Sequence, residues 1–390
     1  MRQISIILCL ILAFSILSCK RSNSSSTQIE AVVNSDSVSL DNRNQTPGLG
    51  YEFVNNGKNH EAPLFSKLYQ DTILTGIEIS ASAKLNDAIE GTERYLRSKK
   101  RTHQLSDDLK ISDYQIKSTI VAIKNWQVKG GELSDFVKMY QTDGEDGRGN
   151  VHFTGYYIPV LKVKKTKDEI FKYPLYKKPT NWKGKMPTRE AIDLDNALKG
   201  KGLELCYSDN LLDIYIMQVQ GSGMVEYPDG SKMLLSYGGK NGHSYNSLGK
   251  YLVAQGHVAA DKISLDAIRK WTTENPDSLN SVLNYNPSYV FFRETKNKPS
   301  GAAGVPLIAK HSVAVDKSLI PLGSVMLGEV PVLNDAGELI RHEYRLLFAH
   351  DVGGAIKKGH IDFYSGVGLK GERVANALHH YGRVWMLLAK

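Results

Sequence analysis

The pattern of hydrophobic and polar positions divides the chain into regions of different character. An apolar run at residues 4–17 follows Arg2. It is too short to span a bilayer as a helix and is typical of a secretory signal, which we assign to residues 1–18. Residues 19–60 are rich in Ser, Asn and Asp and lack a periodic apolar pattern, which predicts a flexible tether. The folded part is predicted to begin near Glu61.

Helical patterns follow. Apolar residues recur at helical spacing between the candidate cap Ser112 and Gly130, which predicts one helix. A second, short helix is predicted for residues 134–140. Residues 264–284 are also helical in pattern, with a break at Pro276.

Strands are predicted where β-branched and aromatic residues lie between Gly, Pro and Asp-Gly turns. The segments are HFTGYYIPVLKVKK, LLDIYIMQVQGSG, YVFFRE, KHSVAVD, YRLLFAHD and GRVWMLLA. Many short strands with non-local pairing favour a barrel over a βαβ array. The predicted fold class is therefore α+β, mainly β with helices.

Composition and charge narrow the class of partner. The chain has 390 residues, 41% hydrophobic and 23% charged, which is enough for two globular domains. Its formal net charge of +8 favours an anionic partner. The basic residues are scattered and form no recognisable nucleic-acid module, so nucleic acid is not expected. An envelope polymer or an anionic membrane surface fits better.

The three cysteines have different interpretations. Cys19 follows Ile-Leu-Ser, which resembles a bacterial lipoprotein cleavage box and implies that Cys19 is lipidated and tethers the protein to a membrane. A free thiol at Cys19 is the alternative. Cys9 lies within the signal, so only Cys206 remains, and neither an internal disulfide nor a cysteine-based metal site is expected. Cys206 is interpreted as a core residue.

Asp351 and Asp362 lie eleven positions apart in AHDVGGAIKKGHIDFYSG. A carboxyl group can act as an acid near neutral pH only if burial or a neighbouring negative charge raises its pKa. Asp362 stands between Ile361 and Phe363, so on a strand its side chain faces away from theirs, towards a cleft or the barrel interior. Asp351 is then a candidate for the second charge or a hydrogen bond. The alternative is that both aspartates are turn residues.

Other chemistries find less support. Too little chain follows the GxGxxG match at 366–371 for a dinucleotide-binding unit. Ser222 lies in QGSGM, which lacks the first glycine of a nucleophile elbow, so a serine hydrolase stays an alternative without identified partners. His350 and His360 stand near the two aspartates, but their spacing matches no zinc pattern, and they are interpreted as surface or structural histidines.

Two amides and two tyrosines are candidates for sugar binding. On a strand, Gln218 and Gln220 would share one face beside a glycine turn, where their amides can bond hydroxyl or acetamido groups. The alternative is a turn whose polar groups are satisfied locally. Tyr156 and Tyr157 are equally compatible with stacking on sugars and with packing in the barrel.

A family resemblance rests on several motifs. Asp316 in VAVDKSLIPLGS, Asp351 and Asp362, followed by GRVWML, reproduce the pattern of the domain named for three aspartates. With TGYYIPV, QVQGSG and NPSYVFFRE in the same order, residues 60–390 resemble the membrane-bound lytic transglycosylase A family of murein-degrading lipoproteins. The sequence departs from that pattern at Lys358, where the family commonly has glycine after GGAIK.

The resemblance implies a fold. It is a double-psi β-barrel built from residues 60–158 and 258–390, with the three-aspartate motif at 305–390. A smaller β domain at 159–257 is inserted between the two pieces. The substrate groove is expected between the barrel and the insert.

The resemblance also implies residue roles. Asp362 is the expected catalytic acid, Asp351 supports it, and Asp316 is mainly structural. The positions expected in or beside the glycan groove are Thr154, Gly155, Tyr156, Gln220, Gly221, Ser222, Gly223, Glu294 and Asp316.

The implied reaction cleaves the β-1,4 bond after N-acetylmuramic acid, with the muramyl C6 hydroxyl in place of water, and leaves a 1,6-anhydro end. Asp362 would give its proton to the glycosidic oxygen and then take one from that hydroxyl. No metal or organic cofactor is expected. The implied enzyme is a monomeric exotransglycosylase, held by its lipid at the outer membrane in the periplasm of a Gram-negative bacterium. Cell-wall synthesis or division proteins are candidate partners.

Two alternatives stay open at this point. A glycoside hydrolase on a similar barrel would use Asp362 together with Asp351 or Glu294 and release an ordinary reducing end. A non-catalytic envelope lipoprotein would bind glycan through its basic surface.

Overall fold

The structure, a computed structural model, describes five stretches of the chain: 76–80, 82–106, 109–145, 149–296 and 298–390. The predicted signal peptide, the predicted lipidation at Cys19, the predicted tether and the expected start of the fold near Glu61 lie outside these residues. No helix within the five stretches combines the length and the apolar character that a membrane span requires.

The described residues form eight α-helices, which we number in chain order. They are α1 Leu85–Leu96, α2 Asp113–Lys129, α3 Arg189–Asp193, α4 Leu211–Gln220, α5 Leu248–Ala254, α6 Leu265–Glu274, α7 Leu279–Asn284 and α8 Gly368–Ala377. Short 3-10 helices occur at Leu133–Asp135, Ala260–Lys262 and Pro276–Ser278.

Fifteen strands are numbered in the same way. They are β1 Thr102–Gln104, β2 Lys110–Ser112, β3 Val137–Gln141, β4 Val151–Ile158, β5 Val160–Lys164, β6 Tyr173–Tyr176, β7 Glu204–Ser208, β8 Gly223–Glu226, β9 Lys232–Lys240, β10 Val290–Thr295, β11 Ser312–Ala314, β12 Val325–Leu333, β13 Leu339–Asp351, β14 His360–Val367 and β15 His379–Ala389. The strands predicted from YVFFRE, KHSVAVD, YRLLFAHD and GRVWMLLA are confirmed.

Six strands close into a barrel. They run in the order β12-β13-β11-β14-β4-β15, and β15 pairs again with β12 to complete the ring. Strand β3 pairs with the C-terminal part of β15. The pairs β11–β13 and β14–β4 are parallel and the others are antiparallel. The predicted α+β fold, with a double-psi β-barrel and an inserted β domain, is confirmed.

Alternation along these strands separates the barrel interior from its outer face. Phe153, Val313, Leu347 and Ile361 belong to one buried cluster, to which all six barrel strands contribute. Their neighbours along each strand therefore point outward. Helices α1 and α2 cover part of that outer face around Trp385.

Helix α2 begins and ends as its sequence predicts. The Ser112 side chain accepts a hydrogen bond from the Gln115 backbone N–H, and the Gln115 side chain bonds back to the Ser112 N–H, which forms a capping box. The helix ends at Lys129, and the capping residue Gly130 has a φ of +68°, which favours glycine.

The inserted domain is built on a second sheet. Its strands run in the order β10-β9-β8-β5-β7-β6, and the single residue Pro159 separates β4 in the barrel from β5 in this sheet. Because β10 pairs with β9, the insert extends to Thr295 and not only to residue 257. Helices α5, α6 and α7 pack against α4, so residues 258–284 also belong with the insert.

Two local predictions were wrong. The segment predicted as the strand LLDIYIMQVQ is helix α4, which is buried on almost every side. Burial all round removes the polar face that marks an amphipathic helix, and the β-branched content then resembles a strand. The short helix predicted for 134–140 is instead a 3-10 turn at Leu133–Asp135 followed by β3.

The remaining helical predictions hold. The pattern over residues 264–284 forms α6 and α7, and the 3-10 turn Pro276–Ser278 separates the two. Cys206 is buried in the core of the second sheet, as its interpretation required.

Candidate active site

Cross-strand register brings the candidate residues into one row. Thr154 of β4 pairs with Asp362 of β14, and Asp362 pairs with Ala314 of β11. Ala314 is in turn the partner of Asp351 on β13. Paired residues point to the same side of a sheet, and Phe153, Val313 and Ile361, which precede Thr154, Ala314 and Asp362 on their strands, fill the barrel interior. The row therefore lies on the outer face of the barrel.

Asp362 has the environment of a general acid. It is partly exposed, and its Oδ1 accepts a hydrogen bond of 2.7 Å from Thr154 Oγ1. Burial raises the pKa of Asp362 to about 6, the Thr154 hydrogen bond opposes this, and the charge of Asp351 adds to it. With this pKa, roughly one carboxyl in ten carries its proton at pH 7, far more than for an ordinary aspartate. Asp362 lies within β14 and Asp351 ends β13, so neither is a simple turn residue.

Asp351 is held by three donors. Its Oδ1 accepts from the backbone N–H groups of Ala302 (2.8 Å) and Val352 (2.9 Å), and its Oδ2 accepts from the Tyr156 hydroxyl (3.1 Å). Burial raises the pKa of Asp351, against the effect of these hydrogen bonds. Gly301 allows the loop to approach, because a Cβ there would stand 2.4 Å from the His350 carbonyl oxygen.

A histidine cluster stands behind Thr154. His360 Nε2 lies 2.7 Å from Thr154 Oγ1, and the His152 ring stacks on His360 with centroids 5.0 Å apart. His152 Nε2 lies 3.1 Å from His379 Nδ1. The sequence interpretation missed this cluster as part of the site. A signal was present, because His360 is two positions before Asp362 and shares its face of the strand.

The histidine beside Asp351 has a structural role. His350 is fully buried and bonds to the hydroxyls of Thr92 and Ser312, each at 2.8 Å. Burial lowers its pKa to about 3, so it is neutral. Within the described residues, no group of three or more His, Cys, Asp or Glu side chains is arranged to hold a metal ion.

Asp316 stabilises a turn at the edge of the barrel. It accepts hydrogen bonds from the Ser318 hydroxyl (2.6 Å) and from the Lys358 backbone N–H (3.1 Å). These bonds and the nearby charge of Lys357 lower its pKa despite partial burial. Lys358 has φ +55°, the left-handed conformation that glycine adopts without strain. The departure from the family pattern thus falls on a turn that favours glycine.

The glycines of the predicted groove allow close packing and an unusual backbone conformation. A Cβ on Gly155 would stand 2.5 Å from Ala375 Cα of α8, and a Cβ on Gly223 would stand 2.7 Å from the Met217 sulfur. Gly221, with φ +81°, ends α4. These contacts account for the three glycines through packing and helix termination.

Gln220 contacts the barrel at the C-terminal end of β4. Its Oε1 accepts the backbone N–H of Tyr157 at 3.3 Å, so the amide lies roughly 10 Å along the strand from Thr154. Because α4 is a helix, Gln218 and Gln220 do not share a strand face as predicted. Ser222 follows the helix end and is partly exposed, and no hydrogen bond of the described residues links it to a histidine.

Glu294 lies in the insert, on β10. Its carboxylate forms an ion pair of 2.8 Å with Lys165, and both side chains are substantially exposed. No contact among the described residues joins Glu294 to Asp362 or Asp351. Glu294 therefore does not belong to the row that contains Asp362 and Asp351.

Tyr156 and Tyr157 face opposite sides of β4. Tyr156 is buried against Tyr364 and bonds Asp351, and burial raises its pKa so that it stays a neutral donor. Tyr157 instead lines a cavity of about 810 Å³ together with Arg269 of α6 and Glu372 of α8. Thr154, Asp351 and Asp362 are not among the residues that line this cavity.

Comparison with known proteins gives consistent similarities. A family model described as the MltA specific insert domain matches residues 152–293, and the 3D domain model matches 311–388. The chain is 42% identical over 274 residues to membrane-bound lytic murein transglycosylase A of Escherichia coli (strain K12), covering 68% of this chain and 74% of that protein. The Vibrio cholerae protein of the same name is 42% identical over 273 residues, with 68% and 74% covered. The crystal structure of E. coli MltA with bound chitohexaose superposes with a TM-score of 0.72 at 34% identity, covering 85% of this chain and 97% of that one.

Proposed function

We infer the reaction of this chain from the premise that it belongs to the membrane-bound lytic murein transglycosylase A family. It is accordingly a peptidoglycan-cleaving lyase. The substrate bond, the product and the residue roles below are proposals built on that premise.

The proposed reaction cleaves the β-1,4 bond between N-acetylmuramic acid and N-acetylglucosamine. Protonated Asp362 gives its proton to the glycosidic oxygen as that bond breaks. The muramyl C6 hydroxyl then attacks C1 of the same sugar while the Asp362 carboxylate removes the hydroxyl proton, so Asp362 returns to its starting form. The product carries a 1,6-anhydromuramic end, and the intramolecular position of the hydroxyl supplies much of the rate.

The observation that carries this proposal is the difference between the two carboxyl groups. Asp362 is partly exposed, with a pKa raised to about 6, as a general acid requires. Asp351 already accepts from Ala302, Val352 and Tyr156, which leaves it poorly placed to activate a water. A hydrolase would need that second carboxylate, so the geometry favours transglycosylation.

A glycan strand is the proposed ligand of the outer barrel face. The relative crystallised with chitohexaose supports a sugar-binding groove in this fold. We place the strand between the barrel and the insert, with Gln220 and Ser222 on one side and Thr154 and Tyr156 near the acid. Gly155, Gly221 and Gly223 would shape its walls, and Glu294 and Asp316 would lie at its margins.

The test is product analysis after incubation with purified murein sacculi. Wild-type protein is expected to release muropeptides with anhydro ends, and Asp362→Asn to release none. Asp135→Asn, at an exposed aspartate of a 3-10 turn, is the matched control and should retain activity. Products one water heavier would indicate a hydrolase, and full activity of Asp362→Asn would refute the role of this residue.

We also propose that Cys19 carries a lipid that holds the enzyme in the periplasm at the outer membrane. The names of its relatives as membrane-bound enzymes support a membrane association. Cys19→Ala is expected to move the protein from the membrane fraction to the soluble fraction, and equal membrane retention of this variant would contradict the lipid anchor.

A further inference from the structure

We propose that His360 is a positioning residue of the reaction, which competes with Asp362 for the single hydrogen of the Thr154 hydroxyl and so favours the protonated form of Asp362. The inference rests on the proposed role of Asp362 as the acid. His360 would act through Thr154 and not on the substrate.

The geometry places one hydroxyl between two acceptors. Thr154 Oγ1 lies 2.7 Å from Asp362 Oδ1 and also 2.7 Å from His360 Nε2. A hydroxyl has one hydrogen to donate. It can therefore serve only one of the two atoms at a time when both are acceptors.

A second hydrogen bond of the His360 ring determines which of its nitrogens carries the hydrogen in the neutral form. A backbone hydrogen bond with Ala355 acts to raise the pKa of His360, which is the effect of a carbonyl acceptor, and Nδ1 is the nitrogen left for it because Nε2 faces Thr154. A carbonyl only accepts, so Nδ1 carries the hydrogen and Nε2 is an acceptor in the neutral ring. Burial, with a smaller effect of His379, lowers the pKa of His360 below its usual value. The ring is therefore neutral near neutral pH and attracts the Thr154 hydrogen.

The competition has a defined consequence for Asp362. When the Thr154 hydrogen points to His360, an Asp362 carboxylate would face a hydroxyl lone pair and lose its hydrogen bond. The protonated form of Asp362 is then favoured. Once Asp362 has given its proton to the leaving group, rotation of the same hydroxyl delivers the hydrogen bond to the new carboxylate. No proton leaves the three residues through this rotation.

The neighbours of this trio support the arrangement. His152 from β4 stacks on His360 with ring planes 23° apart, and His379 from β15 contacts His152. Burial and the neighbouring histidines lower the pKa of His152 to about 4, so it adds no charge near neutral pH. Asp351 is the charged group that acts on Asp362 from the other side.

The test is the pH dependence of kcat/KM of the full chain on soluble murein glycan strands, whose alkaline limb reports the pKa of the acid in the free enzyme. His360→Leu frees the Thr154 hydrogen for Asp362 and should move this limb down by about one pH unit. Thr154→Val removes the donor and should move the limb up. His360→Gln retains an acceptor oxygen and should leave the limb near its wild-type position.

A double variant tests whether His360 acts on Asp362 through the Thr154 hydroxyl. Without the hydroxyl, His360 has no route to Asp362, so Thr154→Val combined with His360→Leu should show the limb of Thr154→Val alone. Carbon NMR of the Asp362 carboxyl follows the same titration in variants too slow to assay.

Two results would overturn the proposal: an unchanged carboxyl pKa in His360→Leu, or equal shifts in His360→Leu and His360→Gln. Either result, with Asp362→Asn still inactive, would leave the proposed function intact. Activity of Asp362→Asn would remove the basis of both.

Discussion

The Thr154 hydroxyl lies 2.7 Å from Asp362 Oδ1, although the two residues are 208 positions apart in the chain. The parallel pairing of β4 with β14 makes them direct cross-strand partners. The position of Asp362 relative to its hydrogen-bond donor is therefore fixed by β4, from the first piece of the barrel, and by β14, from the second.

Burial of Asp362 should reduce stability as the pH rises. Its pKa is about 6 in the folded chain against an ordinary value of 3.8, so the folded state binds the proton more tightly. The stability this provides is complete below about pH 4 and is lost as the pH rises to about 6. Asp362→Asn should therefore exceed wild type in unfolding free energy by roughly 2 kcal/mol more at pH 7 than at pH 4. Urea unfolding at both pH values measures this, and a difference independent of pH would contradict the raised pKa.

Removal of the Tyr156 hydroxyl should slow the reaction. Tyr156→Phe takes one of three donors from the buried Asp351, and a hydrogen bond to a charged group contributes about 1.5–3 kcal/mol. We expect kcat to fall by about tenfold or more. Tyr157→Phe, which changes the next tyrosine on the opposite face, is the control and should have a smaller effect. Similar rates for both variants would show that Asp351 does not depend on Tyr156.

A methyl group at Gly155 should destabilise the fold. The added Cβ would stand 2.5 Å from Ala375 Cα, which is backbone and cannot rotate away. Gly155→Ala is expected to cost about 1–3 kcal/mol in urea unfolding, as overpacking does elsewhere. Gly354→Ala meets no atom within 4 Å and serves as the control. An unchanged midpoint for Gly155→Ala would mean that α8 moves freely relative to β4.

Glycine at position 358 should stabilise the turn beside Asp316. Lys358 has φ +55°, and this conformation costs a non-glycine residue about 1–2 kcal/mol. Lys358→Gly is expected to recover about 1 kcal/mol. Lys358→Ala retains the Cβ and should show no gain, which separates the backbone effect from the loss of the side chain. Equal gains for the two variants would place the effect in the lysine side chain.

Local sequence carried much of the information on the acid. Ile361 and Phe363 on either side of Asp362 indicated that its carboxyl points away from them, and both are in the barrel core. The sequence left open whether that direction was a cleft or the interior. The closed ring of strands resolves this, because the interior is filled by the flanking residues.

Features that depend on pairing across the chain were not predictable in this way. The link from His360 to Thr154 requires the register of β4 with β14, which no local pattern specifies. The end of the insert was not predicted, because the pattern YVFFRE indicates a strand but does not show that this strand, β10, pairs with β9. Helix α4 was misassigned because uniform burial hides the helical period, although Asn210 and Gly221 mark its two ends.

The position of β4 between β14 and β15 has a consequence for biogenesis. A nascent chain that ends before residue 360 lacks both strands that flank β4 in the ring, so it contains Thr154 but neither the acid nor a closed barrel. The proposed active site can therefore form only after β14 and β15 have been synthesised and have paired with β4. Chains truncated before residue 360 are therefore expected to be inactive on the cell wall.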